Sequence, residues 1–150
     1  MSSRFQLAAE KDLPQLLELM RELYRHERLN FDEEAARSGL NKTLLDPTLG
    51  SAYLIFADEE VAGYLLLTSC FSLEQHGKFA LLDELYIRES FRRRGLAKSA
   101  VEFAETVCRK MGIKSLRLEV IRRNKAAQAL YDSAGFIREA RYLYTKHVSE

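Results

Sequence analysis

One stretch of this chain restricts its fold more than any other. Phe79 to Ile87 has the composition of a strand, Arg88 to Arg94 makes a charged turn, and from Ala97 the apolar residues Ala100, Val101, Ala104, Val107, Cys108 and Met111 recur at helical spacing. Gly112 is placed to stop that helix, and Ser115 to Ile121 then alternates Leu116, Leu118 and Val120 with Arg117, Glu119 and Ile121, the period of a strand. A strand, a helix and a second strand with short links form a crossover, and a crossover makes its two strands parallel. Upstream, Ser51–Ala57 and Val61–Cys70 flank Asp58-Glu59-Glu60 and predict an antiparallel hairpin. A mixed sheet in an α/β domain follows.

The remaining elements fit around that centre. Arg4–Ala8 reads as a short strand. Asp12, with Gln15 three residues on, predicts the capped start of a helix whose stripe is Leu13, Leu16, Leu17, Met20, Leu23 and Tyr24. Asp32 predicts the cap of a second helix, led by Glu33 and Glu34 and ended before Pro47. Leu73–Lys78 reads as a loop. Asn124 predicts the cap of a last helix carrying Ala127, Leu130, Tyr131 and Ala134, with Gly135 at its end, and Phe136–Lys146 is expected to return as one or two strands. The chain, 1–150, has no repeat, linker or low-complexity run, and a single domain is expected.

Charge and cysteine content narrow the function. The 23 basic residues against 22 acidic ones leave a formal net charge of +1, without the basic surplus of a dedicated nucleic-acid binder. Arg92, Arg93, Arg94, Arg122, Arg123 and Lys125 cluster in sequence but lack interleaved aromatics on which bases would stack. Cys70 and Cys108 are too few for a disulfide framework; Cys108 lies on a helix stripe as a small core residue, and Cys70 has no sequence-local activating base. His26, His76 and His147 have no metal-ligand spacing, so no metal is predicted. The first residues carry no apolar run of the signal-peptide kind, and the longest apolar stretch, Tyr64–Phe71, is broken by Thr68 and Ser69. A cytoplasmic protein with no membrane or nucleic-acid partner is expected.

The turn at Arg92-x-x-Gly95-x-Ala97 carries the chemistry. Small residues there let backbone approach a ligand, beside the unpaired N–H groups and positive dipole end of a helix. This is an anion cradle. Leu96-Ala97 stands where a Walker loop needs Lys and Ser or Thr, and the three glycines of a dinucleotide fingerprint are missing.

Together with the strand Leu85-Tyr86-Ile87 before it, the strand Leu116–Val120 after it, Asn124-x-x-Ala127-x-x-Leu130-Tyr131 and Gly135-Phe136, this segment resembles the GNAT superfamily of acetyl-CoA-dependent N-acetyltransferases. The resemblance is close over Phe79–Phe136 and rests on element order before that. It implies a GNAT-like mixed, splayed sheet with helices on both faces. It also implies acetyl-CoA as co-substrate, its pyrophosphate held by the backbone amides of Arg93, Arg94, Gly95, Leu96, Ala97 and Lys98 behind the motif's Arg92. The pantetheine arm would pair with the main chain of Leu85 and Ile87 and meet Asn124 near its far end. Tyr131 matches the tyrosine that many members use as general acid toward the departing thiolate. Ala97 stands where many members have Gly. A homodimer is expected by the same analogy.

An alkyl ammonium near neutral pH has no lone pair with which to attack a thioester, so a base is required. Asp83 and Glu84 on the strand before the cradle and Glu119 on the strand after the helix are the candidates, Glu84 first and Glu119 second. Neighbouring strand residues face opposite ways, so Asp83 and Glu84 share a site only if a bulge intervenes. Leu118-Glu119-Val120 is similar to the strand that bears the base in protein N-terminal acetyltransferases of this superfamily. Either glutamate could instead be a solvent-facing strand residue. A main-chain N–H around Tyr86 and Ile87 is expected to meet charge developing on the carbonyl oxygen.

The acceptor is expected to be a small-molecule amine, contacted by the first two helices and the loop Phe71–Lys78. His26, Glu27, Asp32, Glu33, Glu34 and Glu74 would suit a polyamine or an aminoglycoside-like cation. A protein α-amine or lysine, and a CoA-binding module without catalysis, are the alternatives.

Overall fold

A computed structural model describes residues 2–149. Residues up to Glu119 and residues from Val120 onward form two compact units. The first holds a five-stranded sheet in sequential order, β1 (Ser3–Leu7), β2 (Gly50–Ala57), β3 (Glu60–Ser72), β4 (Gly77–Ile87) and β5 (Leu116–Arg117). Neighbours are antiparallel except β4 and β5, which are parallel, as the crossover requires. The sheet is mixed, as expected.

Strand alternation sorts the side chains onto two faces. Ala52, Leu54, Tyr64, Leu66 and Tyr86 pack against α1 (Leu13–His26) and α2 (Glu33–Leu45), whose core residues include Leu16, Leu19, Met20, Leu23 and Leu40. On the other face lies α3 (Leu96–Lys110), where Phe103 stacks on Phe5 with ring centroids 4.6 Å apart and meets Tyr53 edge-on at 4.8 Å. Cys108 is buried beside Ala80 and Ile113, and burial pushes its thiol up, so it is a core residue as its spacing predicts.

The caps test local chemistry. Asp32 Oδ1 accepts the Ala35 N–H at 3.1 Å and starts α2 as predicted. Asp12 does something else: its carboxylate turns back to accept the Ala9 N–H at 2.9 Å, closing a 3-10 turn (Glu10–Asp12) that runs straight into α1. The helical path therefore starts one turn earlier than the Asp12–Gln15 pairing implies.

Two strand predictions are corrected. Ser115–Ile121 yields only Leu116 and Arg117, paired with Ala80 and Leu81. Next along β4 the ladder to β3 skips a residue: Leu66 faces Glu84 while Leu67 faces Leu82, which leaves Asp83 as the extra residue of a bulge. A bulge bends and twists its strand, so β4 parts from β5 just where that distortion begins. This is the splay the resemblance implies.

The second correction is in the second unit, where α4 (Lys125–Ser133) is followed by no strand among the described residues, against the expectation for Phe136–Lys146. Strand propensity acts only through a pairing partner. Side chains there make local contacts instead: Arg138 pairs with Asp132 of α4 at 2.7 Å, and Arg122 lies 6.0 Å from the centre of the Tyr142 ring. Among the described residues no helix is long and apolar enough to cross a membrane.

Candidate active site

The site is built along β4. Arg88 N–H donates to Ala62 O of β3 at 2.7 Å, so alternation directs the main-chain groups of Leu85 and Ile87 to the opposite edge, where pairing with β5 has already ended. That open edge runs into the cradle. After Ile87 the chain makes a 3-10 turn (Glu89–Phe91), Arg92 Nε donates back to Ile87 O at 2.8 Å, and the Arg92 guanidinium lies 5.6 Å from the Tyr86 ring centre. Arg92 thus clasps the turn. Arg94 similarly sits over Phe91 at 5.5 Å.

Arg93 has φ 63° and Gly95 φ 79°, both left-handed, and α3 begins at Leu96. The first bond from that end is Ser99 N–H to Gly95 O at 3.0 Å, so the amides of Leu96, Ala97 and Lys98 precede any acceptor within the helix. A Cβ built on Gly95 would meet nothing within 4 Å, so the turn leaves open space at the start of α3. Donors, dipole and room fit a diphosphate. Gly63 has the opposite constraint, since a Cβ there would fall 1.9 Å from Tyr86 O, and the glycine permits the close approach of β3 and β4 where it pairs with Ile87.

The bulge also decides which carboxylate is sequestered. Asp83 is on the exposed surface, whereas Glu84 is turned between α1 and β3. Glu84 Oε2 accepts the Tyr24 hydroxyl at 2.7 Å and Oε1 accepts the Tyr64 hydroxyl at 2.7 Å. Desolvation raises the Glu84 carboxyl above its ordinary value, the two phenols oppose that shift, and the charge of Asp83 adds to it. Burial first, and the bond to Glu84 second, raise the Tyr24 phenol, so it remains a protonated donor. Glu119 lies two residues past β5 on the exposed surface.

Beside the cradle an open cleft of about 850 Å³ separates α1, with Glu18, Glu22 and Arg25, from the strand end bearing Tyr86, Arg88 and Arg92. Glu22 bridges its walls, accepting Arg88 Nη2 at 3.0 Å and the Tyr86 hydroxyl at 3.2 Å. Of the acidic and histidine residues expected to favour a cationic acceptor, His26 lines this cleft, Asp32 caps α2, and Glu33 pairs with Arg21. The Phe71–Lys78 segment does not line it.

In the second unit, Asn124 Oδ1 accepts the Ala127 N–H at 3.0 Å and so caps α4, and the Tyr131 ring meets Phe136 edge-on at 5.7 Å. Phe136 N–H returns to Tyr131 O at 3.0 Å around Gly135, whose φ is 92°; that glycine ends the helix as predicted. Tyr24, Tyr64, Glu22 and Arg88 carry no signal of a site role in the sequence. The first two are visible there only as members of apolar runs, because periodicity places a ring and says nothing of its hydroxyl. No group of three or more metal-ligating side chains occurs among the described residues.

Residues 13–136 match the acetyltransferase (GNAT) family. An uncharacterized N-acetyltransferase of Lactobacillus delbrueckii subsp. lactis is 32% identical over 91% of this chain and 85% of its own length. The thialysine N-epsilon-acetyltransferase of Caenorhabditis elegans is 30% identical over 82% of this chain and 76% of its own. A solved aminoglycoside N-acetyltransferase in complex with CoA superposes with a TM-score of 0.81 over 97% of this chain and 95% of its own, at 16% identity. With the crossover, the splayed edge and the cradle, these matches lead to one conclusion: the chain belongs to the GNAT family of acetyltransferases, whose members use acetyl-CoA.

Proposed function

We infer that the protein is a single-domain, cytoplasmic enzyme that moves acetyl from acetyl-CoA directly to the primary amine of a small molecule. The carrying observation is an arrangement on one strand. Glu84, partly buried, is held by the Tyr24 and Tyr64 hydroxyls three residues before Ile87, roughly 10 Å along the strand. From there an open main-chain edge leads to the cradle. Acetyl-CoA supplies the activated thioester, and the residues of the chain bind it and manage protons.

The amides from Arg93 to Lys98 hold the diphosphate at the positive end of α3. The outward main chain of Leu85 aligns the pantetheine arm, and the outward N–H of Ile87, that of Tyr86 being turned toward β3, meets negative charge developing on the carbonyl oxygen. The Ile87 carbonyl is already engaged by Arg92, which leaves its N–H for this work. Glu84, which does not itself line the cleft, takes the proton of the acceptor ammonium through a relaying water; its raised carboxyl brings the base closer to neutral pH, where proton transfer is most effective. Glu119 is the second candidate base. Asn124 and Tyr131 take the family roles of arm contact and general acid.

Small-molecule acceptors are supported by the relatives that act on thialysine and by the aminoglycoside enzyme of the same fold. The cleft lining is mixed, with Glu18, Glu22 and Glu89 against Arg21, Arg25, Arg88 and Arg92, which suits an acceptor that carries an anionic group as well as its ammonium. Thiol release from acetyl-CoA, measured across thialysine, polyamines, an aminoglycoside and N-terminal peptides, tests the reading. Turnover with small amines alone supports it. Turnover with peptides alone, or CoA binding with no turnover, replaces it.

A further inference from the structure

We propose that Tyr24 is a positioning residue for Glu84: its hydroxyl, carried by α1, holds the carboxylate in its ionised form and fixed orientation, so that the seating of α1 sets the pH at which the base works. This rests on the assignment of Glu84 as base. The two phenols on Glu84 are not equivalent. Tyr64 is fully buried within β3 and belongs to the sheet, so its hydroxyl is a fixed part of the core. Tyr24 is half-buried and reaches Glu84 from a helix.

That helix is fastened to the strand end independently, through Glu22 to Arg88 and to the Tyr86 hydroxyl. The Tyr24 ring also packs edge-on against Phe31 at 5.5 Å, which helps to place its hydroxyl on Glu84. The groups bearing on the carboxylate are Tyr24 from α1, Tyr64 from β3 and Asp83 beside it on β4. Burial and Asp83 disfavour the charged form and only the phenols favour it. Removing the Tyr24 hydroxyl therefore leaves one donor against two opposing effects, and ionisation moves to higher pH.

The test is a pH titration of the full-length protein labelled with glutamate carrying ¹³C at the carboxyl, the Glu84 signal being the one absent in Glu84→Gln. Tyr24→Phe deletes one oxygen and retains the ring against Phe31; a thermal melt verifies the fold. Its Glu84 midpoint is expected to rise by about one pH unit. Placing 3-fluorotyrosine at position 24, a stronger donor, is expected to move the midpoint downward. The acid limb of kcat/KM for thialysine acetylation should follow both shifts, which a purely structural role for Tyr24 would not produce. A midpoint that stays put in both variants overturns the proposal. Shifted midpoints together with full activity in Glu84→Gln would remove the base assignment alone and leave the hold of Tyr24 on the carboxylate intact.

Discussion

Gly95 and Gly112 share a left-handed backbone, with φ of 79° and 70°, and at both a methyl group placed on Cα would meet nothing within 4 Å. Replacing either by Ala therefore brings the same conformational penalty, about 1–2 kcal/mol, with no steric addition from the protein itself. For a domain of this size each variant should melt several degrees lower, at roughly 2–4 °C per kcal/mol. They differ in their place on α3. Gly112 lies beyond the C-terminal end of α3, whereas Gly95 immediately precedes the amides of Leu96, Ala97 and Lys98. A phosphate seated there must withdraw, and losing one charge-assisted hydrogen bond is worth about 1.5–3 kcal/mol. Calorimetric titration with acetyl-CoA at a temperature where both variants are folded should show Gly95→Ala binding at least about tenfold more weakly, with Gly112→Ala like the parent protein. Equal affinity in the two variants would refute the cradle, as would an affinity loss in Gly112→Ala of the same size.

Other outcomes follow from the same geometry. Tyr131→Phe should leave acetyl-CoA affinity nearly unchanged and lower turnover by roughly 10²-fold, since general acid catalysis contributes on that order; an unchanged rate removes Tyr131 from the role. Activity that depends on ionised Glu84 should fall as pH drops through a carboxyl raised above the ordinary glutamate value, and Glu84→Gln should abolish that limb while Glu119→Gln retains it. Loss of the limb in Glu119→Gln instead transfers the base to Glu119. The same shift has a stability consequence: a carboxyl raised in the folded state favours folding below its unfolded value, and that contribution is lost as pH rises through the folded one, so Glu84→Gln should flatten the denaturation midpoint over that window. Gly63→Ala puts a methyl 1.9 Å from Tyr86 O and should cost about 1–3 kcal/mol in chemical denaturation; a neutral result would mean that β3 and β4 can separate freely where Gly63 pairs with Ile87.

Much of this architecture is dictated by local rules. The crossover centred on α3 forced a parallel pair, and Leu13, Leu16, Leu17, Met20 and Leu23 had to turn one way on a helix, so layer order and sheet type follow from periodicity alone. Gly95, Gly112 and Gly135 mark left-handed turns because they carry no Cβ, and Asp32 and Asn124 cap because a short acceptor reaches an amide three residues on. The cradle is local in the same sense, being one turn and the first coil of one helix.

Long-range pairing decided the rest. The bulge at Asp83 is a mismatch between two strands, and no property of either strand alone announces it; yet it splays β4 from β5 and separates exposed Asp83 from sequestered Glu84. The partners of that carboxylate, Tyr24 and Tyr64, stand 60 and 20 residues away in sequence. Asp12 preferred an amide behind it to the helix ahead, and Phe136–Lys146 kept its strand-like composition without a ladder, since a strand needs an edge to pair with as well as a sequence to suit it. Backbone preference and hydrophobic period act over a few residues and can be read along the chain. Desolvation and hydrogen-bond partnership depend on which segments meet, and the tertiary structure alone determines that.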